Sequence, residues 1–105
     1  MLIRQVRLKL KEKSAPEFGR IIERDVIPIL QKQSGFRDTV TFVAAERLEA
    51  ISYTFWNTNE EAEAYNGTGY RDVLNALSKV VDGDPQVESF SLSNSTFHKV
   101  DFVDI

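Results

Sequence analysis

The hydrophobic pattern of this chain changes period twice, from two to about three and a half, and in the same direction each time. Between residues 2 and 10, Val6, Leu8 and Leu10 alternate with Gln5, Arg7 and Lys9. Successive strand side chains point to opposite faces, so this is one half-buried strand. Phe18, Ile21, Ile22, Val26, Ile29 and Leu30 then recur at helical spacing. Ser14 precedes Glu17 at capping-box spacing, and Pro16 is tolerated in a first helical turn. Pro28 has no amide hydrogen for a continuing helix, which predicts a kink or restart there. Gly35 suits the left-handed residue that ends the helix.

The second half repeats this order in pattern, without repeating residue identities. Val40 to Ala45 and Ile51 to Trp56 are rich in β-branched and aromatic residues, and the charged stretch from Glu46 to Ala50 between them makes an antiparallel hairpin. Thr58 and Glu61 form a second capping-box pair, opening a short helix through Tyr65 that Gly67 and Gly69 interrupt. Tyr70, Val73, Leu74, Leu77 and Val81 mark one face of a further helix. Asp82-Gly83-Asp84-Pro85 reads as a turn and Gln86 to His98 as the last strand. The order is βαββαβ, which predicts an α+β, ferredoxin-like domain: one four-stranded antiparallel sheet with both helical regions on one face. The domain takes residues 1–99. The tail, 100–105, still carries Val100, Phe102, Val103 and Ile105, and is suited to contacting a partner protomer.

A chain of 105 residues is one domain, and at that size only about 60 to 70% of the unfolded surface is buried on folding. A second protomer is therefore a useful partner, and a homodimer is expected. With 13 basic and 16 acidic side chains the net charge is −3, which gives no global attraction for nucleic acid or anionic lipid. The absence of cysteine excludes disulfides, thiolate metal sites and cysteine nucleophiles. Arg4, Arg7 and Lys9 fall where a signal peptide would need its apolar core, and no apolar run approaches transmembrane length. The expected location is the cytoplasm.

Gly35-Phe36 after a long helix, a strand ending in Phe55-Trp56, a helix beginning Asn59-Glu60-Glu61-Ala62, the later Gly69-Tyr70, and the turn into Pro85-Gln86-Val87 together resemble the antibiotic biosynthesis monooxygenase-like family of dimeric α+β barrel proteins. The resemblance spans roughly residues 2–96. It implies a dimeric α+β barrel. Members include cofactor-independent monooxygenases acting on phenolic or quinone-like substrates, haem-degrading enzymes and proteins of unknown role. In haem-degrading relatives an axial histidine comes from the second helical region, where this chain has none, so neither haem nor another cofactor is expected.

Trp56, the only tryptophan, shares its strand parity with Ser52 and Thr54, opposite Ile51, Tyr53 and Phe55. In the resembled family the tryptophan at the end of this strand borders a pocket between sheet and helices. This makes Trp56 the first ligand-contact candidate, with Thr54 beside it; the alternative is a tryptophan that only anchors the strand to the next helix. Tyr65 and Tyr70 lie on the broken helical region that would roof such a pocket, where their hydroxyls orient a ligand or simply stay wet. Arg4 has the parity of Val6 and Leu8. It either projects toward the pocket to hold an anionic or phenolate group, or lies in solvent near the chain start. His98, the sole histidine, fits no triad or metal cluster by spacing. No metal site is expected.

Two functional classes follow. The first is a non-catalytic dimeric protein that binds a small hydrophobic or aromatic molecule between sheet and helices, or serves only as a compact interaction domain. The alternative is a cofactor-independent monooxygenase acting on a phenolic or quinone-like substrate, for which no catalytic base is identifiable in the sequence.

Overall fold

The computed structural model describes residues 1–96; the expectations for His98 and for the tail from Val100 to Ile105 lie outside the described residues. Strand β1 (Leu2–Leu10) is followed by helix α1 (Ala15–Ile21), a π-helical turn (Ile22–Val26) and helix α2 (Ile27–Gln31). Strands β2 (Phe36–Ala44) and β3 (Glu49–Trp56) form a hairpin. Helices α3 (Asn59–Asn66) and α4 (Gly69–Leu77) then lead to β4 (Val81–Ser91). The sheet order is β2-β3-β1-β4, antiparallel at every pair. This is the ferredoxin-like α+β arrangement read from the sequence.

Alternation along the two central strands sorts their side chains cleanly. Val6, Leu8 and Leu10 of β1 and Ala50 and Trp56 of β3 are buried, and pack with Phe18, Ile21, Val26, Leu30, Ala62, Tyr65, Val73 and Leu77 from the helices. Burying each large aliphatic side chain of this set contributes about 1.5–3 kcal/mol. The interruption expected at Pro28 takes the form of the π-helical turn just before it, with α2 restarting at Ile27. Gly35 ends that region with φ +81, and a Cβ on it would meet the Glu61 side chain at 2.2 Å. Glycine there is a requirement of both backbone and space.

Several boundaries differ from the sequence reading. At Ser14 no side-chain cap forms; its hydroxyl donates instead to the Glu12 carbonyl at 3.4 Å, and the Glu17 carboxylate, the other half of the expected box, accepts from Arg20 Nη2 at 2.6 Å and lies 3.7 Å from the Lys79 ammonium. The Thr58–Glu61 box does form, with the Glu61 amide donating to Thr58 Oγ1 at 3.1 Å. Val81 is not on a helix face; it opens β4, opposite Leu10. Likewise, Asp82-Gly83-Asp84-Pro85 is not a free turn. Asp82 pairs with Lys9 and Gln86 with Arg7, so the residues between them bulge out of the ladder, with Gly83 at φ +75. A bulge and a turn use the same residues, and only the presence of a partner strand separates them. β4 ends at Ser91, with 92–96 outside regular structure.

Candidate functional site

Between the sheet and the helical layer lies a cavity of about 30 Å³ lined by Arg4, Val6, Leu8, Ser52, Thr54 and, from the helices, Ile22, Val26, Leu30, Tyr65, Tyr70, Val73, Leu74 and Leu77. By that measure about two waters would fit. Its floor is set by strand alternation, which brings Arg4, Val6 and Leu8 to the helix side. Arg4 faces Thr54 across β1 and β3, and Ser89 across β1 and β4. The π-helical turn contributes both of its ends, Ile22 and Val26, to the wall.

Arg4 is only 3% exposed, so the solvent-facing alternative is corrected: β1 is a central strand, and its fourth residue lies under the helices rather than at a free end. Its Nη2 donates to Asn66 Oδ1 at 2.5 Å. The guanidinium carbon lies 4.1 Å from the centre of the Tyr70 ring and 5.4 Å from that of Tyr65, both within cation–π range. Tyr70 is half-buried and stands at the rim, while Tyr65 is buried. Burial pushes both phenols up from their ordinary titration range, with the Arg4 charge pulling part of the way back. They are neutral hydroxyls at neutral pH, poor bases but able hydrogen-bonding groups.

Trp56 stands one layer behind the cavity rather than on its wall. It is fully buried. Its indole N–H donates to Thr54 Oγ1 at 2.8 Å, its face stacks on Tyr65 with ring centres 4.9 Å apart, and Phe36 meets it edge-on at 5.6 Å. Tyr65 in turn contacts Tyr70 at 6.0 Å. Phe36, Trp56, Tyr65 and Tyr70 thus form a continuous aromatic series from core to rim, ending at the guanidinium. Of the five residues singled out from sequence, Arg4, Thr54, Tyr65 and Tyr70 line one cavity and Trp56 supports it. Asn66 was missed. Its signal was its place four residues after the buried Ala62, on the same helix face, immediately before Gly67.

No known family matches the chain by sequence, and no curated protein is similar to it. Solved structures do resemble it. A monooxygenase from the ActVA-Orf6 gene of Streptomyces coelicolor, in complex with the ligand nanaomycin D, superposes with a TM-score of 0.74 at 13% identity, covering 91% of this chain and 90% of that one. The chain shares the ferredoxin-like α+β fold of that protein. SnoaB, a cofactor-independent oxygenase from Streptomyces nogalater, shares this fold with a TM-score of 0.73 at 13% identity, over 90% of this chain and 95% of its own. So does NE2512, a protein of unknown function from Nitrosomonas europaea, with a TM-score of 0.74 at 14% identity, over 91% and 92%. A shared fold at such identity says nothing about chemistry, which lives in the site.

Proposed function

We propose that the protein is a binding protein for a small aromatic molecule, which it holds between sheet and helices as a homodimer. The observation that supports this most is the juxtaposition of a buried guanidinium and two tyrosine rings around an apolar cavity, with one of the tyrosines at the rim. An apolar wall with few, placed polar groups is the usual composition of a small-molecule site. The dimer reading rests on the other sheet face, where Ile3, Val40, Phe42, Tyr53, Phe55, Phe90 and Leu92 line an open groove of about 540 Å³. Phe42 and Phe90 are 59% and 45% exposed, and a second copy packed sheet to sheet would cover them. Among the described residues no helix is long and apolar enough to cross a membrane, and we take the cytoplasm as the place of action.

A panel of phenols and quinones titrated into the protein tests the site. Binding there perturbs Tyr65 and quenches the Trp56 emission through the stack. Unchanged emission alongside calorimetrically measured binding would move the site elsewhere.

The second reading, a cofactor-independent monooxygenase on a phenolic or quinone-like substrate, draws on the fold shared with SnoaB and the Streptomyces coelicolor enzyme. Against it, the cavity wall carries no carboxylate or histidine among the described residues, and both tyrosines are shifted away from acting as bases. Metal-free oxygen uptake on a phenol panel is the test; uptake that persists in a folded Tyr70→Phe and disappears in Arg4→Gln would favour the enzyme.

A further inference from the structure

We infer that the ligand is a planar aromatic carboxylate, whose charge is held by Arg4 in exchange for the amide oxygen of Asn66. The inference rests on the reading of the cavity as a ligand site, and takes it further by fixing the ligand's charge and headgroup. A guanidinium stays protonated in any protein environment. Burying one is costly unless an opposite charge accompanies it. The ion pairs among the described residues use Arg7, Arg20, Arg24, Arg47 and Lys79, and none uses Arg4, the one arginine that is buried.

What surrounds Arg4 is neutral. Its acceptors are the Asn66 amide oxygen and the neutral Tyr70 hydroxyl, and its guanidinium lies over the rings of Tyr70 and Tyr65. Among the described residues no fully buried side-chain nitrogen or oxygen lacks a hydrogen bond, so hydrogen bonding is satisfied while the positive charge is not. Tethering α3 and α4 to β1 through these neutral acceptors needs only N–H donors, which a glutamine amide supplies without desolvating an ion. The charge is therefore surplus to the fold and is explained by an anionic visitor.

The headgroup follows from shape. A guanidinium offers two parallel N–H donors that match the two oxygens of a carboxylate. The aromatic body follows from the walls, which are Val6, Leu8, Val73, Leu77 and the ring of Tyr70. With only about 30 Å³ beside the guanidinium, a ring gains room by displacing Asn66 and turning out Tyr70 at the rim. One cation and no other charged group on the wall select a monoanion.

Calorimetric titration of the full chain at pH about 7 with benzoate and with its neutral isostere benzamide decides the matter. Benzoate should bind about tenfold tighter or more, the scale of one hydrogen bond to a charged group. Arg4→Gln should erase that preference. Asn66→Ala should strengthen benzoate alone, because the ligand no longer competes with the amide; this variant carries the test if Arg4→Gln fails to fold. Equal binding of the two probes, or an Asn66→Ala that weakens benzoate, overturns the inference while leaving the cavity a ligand site. No binding of either probe, nor of the phenols and quinones, removes the ligand site and this inference together.

Discussion

The two faces of the sheet are built from alternate residues of the same strands, yet they differ in almost every physical respect. Beneath the helices, β1 and β3 present Arg4, Val6, Leu8, Thr54 and Trp56, all buried, and the polar members are bonded to specific partners. On the bare side, Ile3, Tyr53 and Phe55 are only partly buried, and Phe42 and Phe90 stand mostly open. The covered face is therefore chemically specific and the open face is broadly apolar. On the reading proposed above, the covered face would serve the ligand and the bare face a second protomer, so the two faces should respond differently to substitution.

The largest expected difference between the faces is in stability. Trp56→Ala should cost about 3–5 kcal/mol, the range for deleting a buried aromatic, read from the urea midpoint. Phe42→Ala, tested where the protein is monomeric, should stay within about 1 kcal/mol. Comparable costs would mean that the two faces do not differ as their exposures say.

Next in size is association. Phe90→Asp together with Phe42→Asp should abolish the homodimer in sedimentation while leaving the thermal transition of the protomer cooperative. A full-length protein that sediments as a monomer at low micromolar concentration would end the dimer reading.

Polar removal comes third. Thr54→Val keeps the shape but leaves the indole N–H without its acceptor, at a cost of about 1–3 kcal/mol. Tyr53→Phe on the bare side should be near neutral, since Tyr53 is only partly buried there.

The fourth effect concerns pH. Tyr65 titrates above its ordinary range because burial disfavours the phenolate. Its neutral form thus contributes stability that is fully present below the unfolded pKa of about 10 and is lost as pH rises toward the folded value. Denaturation titrations above that pH should show falling stability, and Tyr65→Phe should flatten the fall. The smallest effect is expected at Glu17, a surface carboxylate, only partly covered, that its hydrogen bond from Arg20 holds below its usual range. Any stability it adds is present above the unfolded carboxylate pKa and fades as pH falls through the folded one. Glu17→Gln should be hard to distinguish from the parent near neutrality.

Much of this architecture was legible from local pattern. The first strand ran as read, Pro28 and Gly35 marked the helix break and its end, and Thr58 with Glu61 capped α3, because each depends on residues within a turn or two. The parity of Arg4, Ser52, Thr54 and Trp56 also assigned them to one sheet face before any contact was known. Boundaries failed where a partner strand or a competing charge intervened. The Ser14 hydroxyl turned to the Glu12 carbonyl and the Glu17 carboxylate to Arg20, and the glycine and proline of a bulge imitated a turn between Val81 and Gln86.

What the sequence by itself determined was the alternation of elements and the face on which each strand residue lies, since both follow from fixed backbone periods. Only the tertiary structure decided depth. Arg4 proved buried because β1 lies between β3 and β4, a consequence of pairing between segments about fifty and eighty-five residues away that no local period encodes. Trp56 fell behind Tyr65 rather than on the cavity wall because α3 packs at that end of β3. The meeting of Arg4 with Asn66, 62 positions apart, has the same origin: side-chain chemistry is written locally, but which neutral or charged group it faces is set by how the layers close.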